Sequence, residues 1–194
     1  MSLTLRSIFL VVLFTATATS EGRVEGLGVA RRFISQKYMF SMAVPVGWGV
    51  STGLDTPVFF YAPSSGRFVQ DSIPPGGAVI TVESHDTVSG QRKSGTTPEA
   101  WARVDTRAVA SSVPSIEPFE FPKESEISHA VICSYDEPTF SPAERKQHSV
   151  AIFWAFSQRM FSAHLNYNAG DPNATALENV FLQIVRSVRP LKKH

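Results

Sequence analysis

Cys133, His129 and His164 are the residues of this chain whose types lend themselves most directly to catalysis or metal binding. A cysteine becomes a nucleophile when a neighbouring histidine or a helix end lowers its pKa. The histidine nearest to Cys133 on the same strand face is His129, four residues away, or about 13 Å at about 3.3 Å per residue. That is too far for a dyad. A cross-strand histidine, His148 or His164, comes closer only in a favourable register, so Cys133 is expected to be a buried small hydrophobe. His129 and His164 each fall in a predicted strand, and zinc requires three or four nitrogen, oxygen or sulfur ligands. Neither strand carries a second histidine at metal-ligand spacing, so both are expected as satisfied sheet histidines and no metal or cofactor is expected. Together with aromatic neighbours they are the candidate lining of a small-molecule or hydrolytic pocket.

A second group lies in "YDEPTFSPAERK", where Asp136, Glu137 and Glu144 surround Phe140. Oxygen ligands of this kind can hold calcium weakly, while an exposed Phe140 would serve as a docking residue. The reading adopted is a solvated loop offering Asp136, Glu137, Phe140 and Glu144 to a protein partner. Ser84, His85 and Asp86 also cluster, but adjacent strand side chains point to opposite faces, so a polar turn is expected. Asn173-Ala174-Thr175 fits a glycosylation acceptor, placed in the first turn of a predicted helix.

Several motifs fail on spacing. Gly47, Gly49 and Gly53 miss the G-x-G-x-x-G register by one residue, and Gly26 and Gly28 have Arg31 in the third place. Phosphate-loop, H-E-x-x-H, EF-hand and G-x-S-x-G patterns are absent.

The elements that must position these residues follow from periodicity. Tyr38, Phe40, Met42 and Val44 alternate as one face of a strand, and Pro45-Val46-Gly47-Trp48 reads as a type II turn that starts a hairpin, with Trp48 in the core. Further strands are expected at 58–61, 78–83 and 127–135. Thr96 and Glu99 form a capping box that opens a helix ending near Ser112. Ser149 to Phe156 is continuously apolar, as a central strand covered on both faces must be, and pairs through a short link with Met160 to Tyr167. Asp171 and Pro172 are the expected N-cap and first residue of a last helix, whose stripe is Leu177, Val180, Phe181, Ile184 and Val185 and which Pro190 stops. The cations Arg186, Arg189, Lys192, Lys193 and His194 then sit beside a helix C-terminus, where the dipole favours them. The order strands, helix, strands, helix predicts an α+β fold.

Met1 to Gly22 begins with Arg6, runs through an apolar stretch from Ile8 to Phe14 and reaches Ala16-Thr17-Ala18. This layout is that of a secretory signal peptide cleaved after Ala18, and the stretch falls well short of the roughly 20 residues that cross a bilayer. The expected organisation is a signal over 1–18, a flexible lead-in over 19–33 and one domain over 34–194. The expected address is periplasmic or extracellular, without stable membrane insertion after cleavage. Removing Arg6 with the signal leaves 17 cations against 17 anions, a balance without the basic footprint that nucleic acid demands. With one cysteine, no intramolecular disulfide can form, and packing must supply the stability.

"YMFSMAVPVGWGV", the helix opening "TTPEAW", the paired strands around "AIFWAF" and "MFSAHLNY", and the ending "LENVFLQIVRSVRPL" together resemble the PsbP-like superfamily over roughly Tyr38 to Leu191. Pro45, Gly47, Trp48 and Ile184 to Ser187 carry most of the resemblance, while Val188 stands where an aromatic is expected. The resemblance implies an antiparallel sheet packed between helices, an α/β/α sandwich. It also implies an exported, non-catalytic binding or adaptor module with a protein partner, acting through loops at one end of the sheet such as Ser64 to Gly77 and Asp136 to Lys146. The alternative is a secreted small-molecule binder or hydrolase with its pocket near His129 and His164.

Overall fold

In chain order the strands are β1 (Val29–Ser35), β2 (Phe40–Pro45), β3 (Gly49–Val50), β4 (Val58–Tyr61), β5 (Ala78–His85), β6 (Ile116–Pro118), β7 (Ala130–Asp136), β8 (Gln147–Phe156), β9 (Arg159–Asn168) and β10 (Arg189–Pro190). Helix α1 (Pro98–Val109) lies between β5 and β6, and α2 (Ala174–Arg186) between β9 and β10. The computed structural model describes residues 29–51, 56–62, 73–85, 97–110, 112, 114–138, 146–156 and 159–191.

Among the described residues two antiparallel sheets form, one of three strands in the order β1-β2-β10 and one of seven in the order β3-β4-β5-β9-β8-β7-β6. With two α-helices beside them this is the α+β class expected. The type II turn at Pro45–Trp48 is present: Trp48 N–H donates to the Pro45 carbonyl at 3.2 Å, and Gly47 holds φ at +82°, where a Cβ would be strained. It does not close the expected hairpin. Strand β2 already has β1 on one edge and β10 on the other, so the chain leaves the turn into β3, which pairs with β4 in the larger sheet. The turn is a corner between sheets.

The expected lead-in is also shortened, because β1 begins at Val29 and pairs with β2 along its length. Its charged composition hides a strand that, among its described side chains, sends Phe33 into the core. The signal region 1–18 lies outside the described residues.

Strand β8 shows the two-sided burial that its apolar run demands. Val150, Ile152 and Trp154 join Phe181, Ile184 and Val185 of α2 and Phe40, Met42 and Val44 of β2 in the larger core. Ala151 and Phe153 point the other way, into a smaller core with Ala102 of α1 and Val131, Cys133 and Tyr135 of β7. Burying each large apolar side chain contributes about 1.5–3 kcal/mol, so α2, with Leu177, Phe181, Ile184 and Val185 all buried, is anchored far more heavily than α1.

Helix boundaries differ locally from expectation. The cap of α1 is Thr97, not Thr96, its side chain accepting from Ala100 N–H at 3.3 Å, and the helix ends at Val109 with Ala110 as its C-cap. At α2 the cap position belongs to Asn173, and Pro172 lies outside the helix.

Candidate interaction surface

Sheet register decides which loops stand together. Asp136 of β7 is opposite His148 of β8, His148 is opposite Tyr167 of β9, and Tyr167 is opposite Ala78 of β5. One cross-strand row therefore marks the end of the sheet from which the chain leaves β7 at Asp136 and enters β5 at Ala78. The loops before β5 and between β7 and β8, expected at one end of the sheet, have their stems at the same end. The corner turn joins them: Trp48 stacks on Tyr61, the partner of Ala78, with ring centroids 5.4 Å apart. At its tip Val46 is 65% exposed.

Polar side chains stitch these stems. Asp171, in the connection from β9 to α2, accepts Gly76 N–H through Oδ2 at 2.6 Å and Asn173 N–H through Oδ1 at 2.8 Å. The expected capping aspartate thus clamps the loop before β5 as well as the approach to α2. Asn168, buried at the end of β9, donates from Nδ2 to the Ile73 carbonyl at 3.0 Å and lies 3.3 Å from that of Pro74. Ala169 N–H reaches the Lys146 carbonyl at 2.8 Å and ties the same connection to the β7–β8 stem.

Within that stem, Asp136 Oδ1 lies 2.8 Å from His148 Nδ1 and its Oδ2 2.6 Å from Lys146 Nζ. The hydrogen bond from Lys146, then that from His148, holds the Asp136 carboxyl below its usual range. Glu137 N–H donates to the Gln147 carbonyl at 3.0 Å, while its Oε1 accepts from the buried Ser149 hydroxyl at 2.5 Å. The Asn166 side-chain amide stands 2.6 Å from the same hydroxyl. On the α2 side Tyr167 donates to Glu178 Oε1 at 2.5 Å, and burial, followed by that bond, raises its pKa. Two of the four loop residues read from sequence, Asp136 and Glu137, are therefore braced at the stem. Phe140 and Glu144 lie outside the described residues, as does most of the loop from Ser64.

Of the histidines singled out for a pocket, His129 lies just before β7, not within a strand as expected, and His164 lies on β9; both turn toward α1 but meet different partners. His129 Nε2 lies 2.8 Å from Glu99 Oε1, near the start of α1, and His164 Nε2 lies 3.8 Å from Asp105 Oδ2. Six residues separate these carboxylates, about 9 Å along a helix, and Ala102 between them packs on Val131, Cys133 and Phe153. The two imidazoles pin α1 to the sheet at separate turns. His164 also meets the Phe153 ring edge to face, with centroids 5.5 Å apart.

Cys133 and His164 lie in one cross-strand row with Ala151 between them, about 10 Å apart by strand spacing. The Cys133 thiol is pushed up to about 12, chiefly by burial and then by the charge of Asp105. That is the opposite of an activated nucleophile. His148 faces away from it, on the row of Asp136. His85 closes β5 opposite Met160, and Asp86 lies outside the described residues. Among the described residues no three His, Cys, Asp or Glu side chains gather closely enough to hold a metal ion, and no helix is long and apolar enough to cross a membrane.

The contributions of Asn168, Asp171 and Tyr167 to the loop end were not read from sequence as parts of a site. Asp171 carried one signal, the Asp-Pro start of a helix. Asn168 and Tyr167 carried none, because their partners lie in distant segments.

The arrangement of sheets and helices matches the Saccharomyces cerevisiae Ran-binding protein Mog1p with a TM-score of 0.50 at 11% identity, over 84% of this chain and 95% of that one. The chain has the PsbP-like fold. A cyanobacterial PsbP from Synechocystis aligns over 88% of this chain and 98% of its own at 12% identity, with a TM-score of 0.45. A Pseudomonas aeruginosa protein of unknown function aligns over 84% and 98% at 12% identity, with a TM-score of 0.48. No protein-family model matches the chain, and no curated protein matches it by sequence.

Within this fold the residues that carried the resemblance have definite duties. Gly47 makes the corner between sheets. Ser187 ends α2, donating to the Ile184 carbonyl at 2.6 Å and accepting Ala43 N–H at 2.7 Å.

Proposed function

We propose that this chain is an exported, non-catalytic protein-binding module, built as the α/β/α sandwich of PsbP-like proteins and engaging its partner through the loop end of the larger sheet. The observation that carries this reading is the row Asp136, His148, Tyr167, Ala78, which gathers the stems of two loops at one end. Asp171 and Asn168 hold the loop before β5 to the β9–α2 connection, so the end is a framed surface, and binding loops mounted on a rigid scaffold lose less entropy on docking. The Ran-binding role of Mog1p, a protein of the same fold, supports protein binding as the kind of activity. The Arg6 to Ala18 leader supports export.

The test is substitution of Asp136, Glu137, Phe140 and Glu144 by alanine, singly and together, followed by recovery of the tagged chain from its own compartment. The proposal expects a discrete co-purifying protein whose yield falls in the combined variant while the thermal melt stays cooperative. Undiminished recovery from the combined variant would sink it. The small-molecule alternative loses ground because His129 and His164 are each engaged by a different carboxylate of α1.

A further inference from the structure

Arg32, from a distant strand, meets Arg186 and Arg189 where α2 ends. Arg32, on β1, donates from Nη2 to the Ser187 carbonyl at 2.8 Å and from Nε to Ser41 Oγ at 3.1 Å. Arg189, on β10, donates from Nη1 to the carbonyls of Arg186 and Val188, each at 2.8 Å. The exposed Arg186, in the last turn of α2, holds its guanidinium 5.1 Å from the centre of the Phe119 ring. Arg32 and Arg189 are close enough that the charge of Arg189, after burial, lowers the Arg32 pKa. Among the described residues none of the three forms an ion pair with a carboxylate.

The helix dipole accounts for Arg186 and Arg189, which sit at its negative end. It gives no reason to bring in Arg32 from a strand 155 residues away from Ser187. Like charges repel, and a group left without counter-charge on a chain with 18 cations and 17 anions is a local excess that a bound anion would relieve. The guanidiniums of Arg32 and Arg189 are held in set orientations by carbonyl and hydroxyl acceptors. Arg32 spends Nε and Nη2 on Ser41 and Ser187 and contributes charge and its Nη1 group, whereas Arg189 spends only Nη1 and keeps the Nε and Nη2 fork. A fixed planar fork suits a discrete carboxylate, which accepts two parallel bonds, better than a diffuse charged surface.

We propose that Arg32, Arg186 and Arg189 form a docking surface for an acidic segment of a protein partner, rich in aspartate or glutamate. It lies at the opposite end of α2 from Asp171, about 20 Å along the helix axis for 13 residues. It is separate from the loop end and stands whether or not those loops bind.

The experiment titrates the purified chain against fluorescein-labelled octaglutamate, with octaglutamine as the neutral control and vesicles containing phosphatidylglycerol as an anionic surface. Saturable binding of octaglutamate that weakens with added salt is expected, with R186Q and R189Q each lowering affinity roughly three- to tenfold. R103Q, which removes an exposed arginine of α1, is expected to leave it unchanged. Because Arg32 also braces Ser187, R32K is used there; it keeps the charge and is expected to retain salt-sensitive binding, with its melt recorded alongside. The proposal is overturned by absence of saturable binding, by equal loss in R103Q, by full affinity in both R186Q and R189Q, or by binding to vesicles without binding to the peptide.

Discussion

Asp171 grips Gly76 across 95 residues of sequence, Oδ2 to amide at 2.6 Å, while its other oxygen takes the Asn173 amide. One carboxylate thereby fixes both the loop entering β5 and the approach to α2. Asp171→Ala leaves both amides without this acceptor and should cost about 1–3 kcal/mol. Urea denaturation checks this, and the midpoint should fall with little change in slope. Amide exchange should quicken at Gly76 and Gly77 before it does in β8.

Ser187 makes the corresponding tie at the other end of α2. Its hydroxyl donates to Ile184 and accepts the buried Ala43 amide, 144 residues away. Ser187→Ala strands that amide in the interior, a loss of about 1–3 kcal/mol. Ser187→Thr, which keeps the hydroxyl, should recover part of the loss in the same assay.

The Asp136 carboxyl has its pKa lowered in the folded protein by Lys146 first and His148 second. A lowered folded-state value means that the unfolded chain binds more protons, so this contribution to stability is present above the ordinary value of 3.8 and is lost as pH falls through the folded one. Asp136 is substantially exposed, so the effect is small and screened by salt. Acid unfolding of Asp136→Asn should lack this limb, with the difference from wild type shrinking in high salt.

Cys133, buried and with its pKa raised to about 12, should resist an aromatic disulfide reagent at pH 8 in the native protein and react at once in denaturant. Rapid native labelling, read by absorbance, would show that the strand face beneath α1 opens readily.

Much of the larger sheet was legible because its cues are local. The run Ser149 to Phe156 and its neighbour Met160 to Tyr167 carry their pairing in apolar content and a short link, and the stripe Leu177, Phe181, Ile184, Val185 carries α2. Gly47 announced its turn, but the destination of that turn depends on β1 and β10 occupying both edges of β2. Those strands are short or charged, and they are held by long-range ties such as Arg32 to Ser187, so no window of sequence contains the three-stranded sheet. The same holds for the site. Asp136 and Glu137 were visible as loop carboxylates, while Asn168 and Tyr167 act through partners in distant segments. His129 and His164 were read as a pair by residue type alone, and the turns of α1 separate them.

The most direct test of the loop end as the binding surface is site-specific photo-crosslinking in the native compartment, with a benzophenone amino acid placed in turn at Val46, Glu137 and Val104. Val46 and Glu137 belong to the loop end, and Val104, 69% exposed, lies on α1. The account predicts one discrete protein adduct, the same from Val46 and Glu137 and absent from Val104. An adduct from Val104 with none from the other two positions would contradict it.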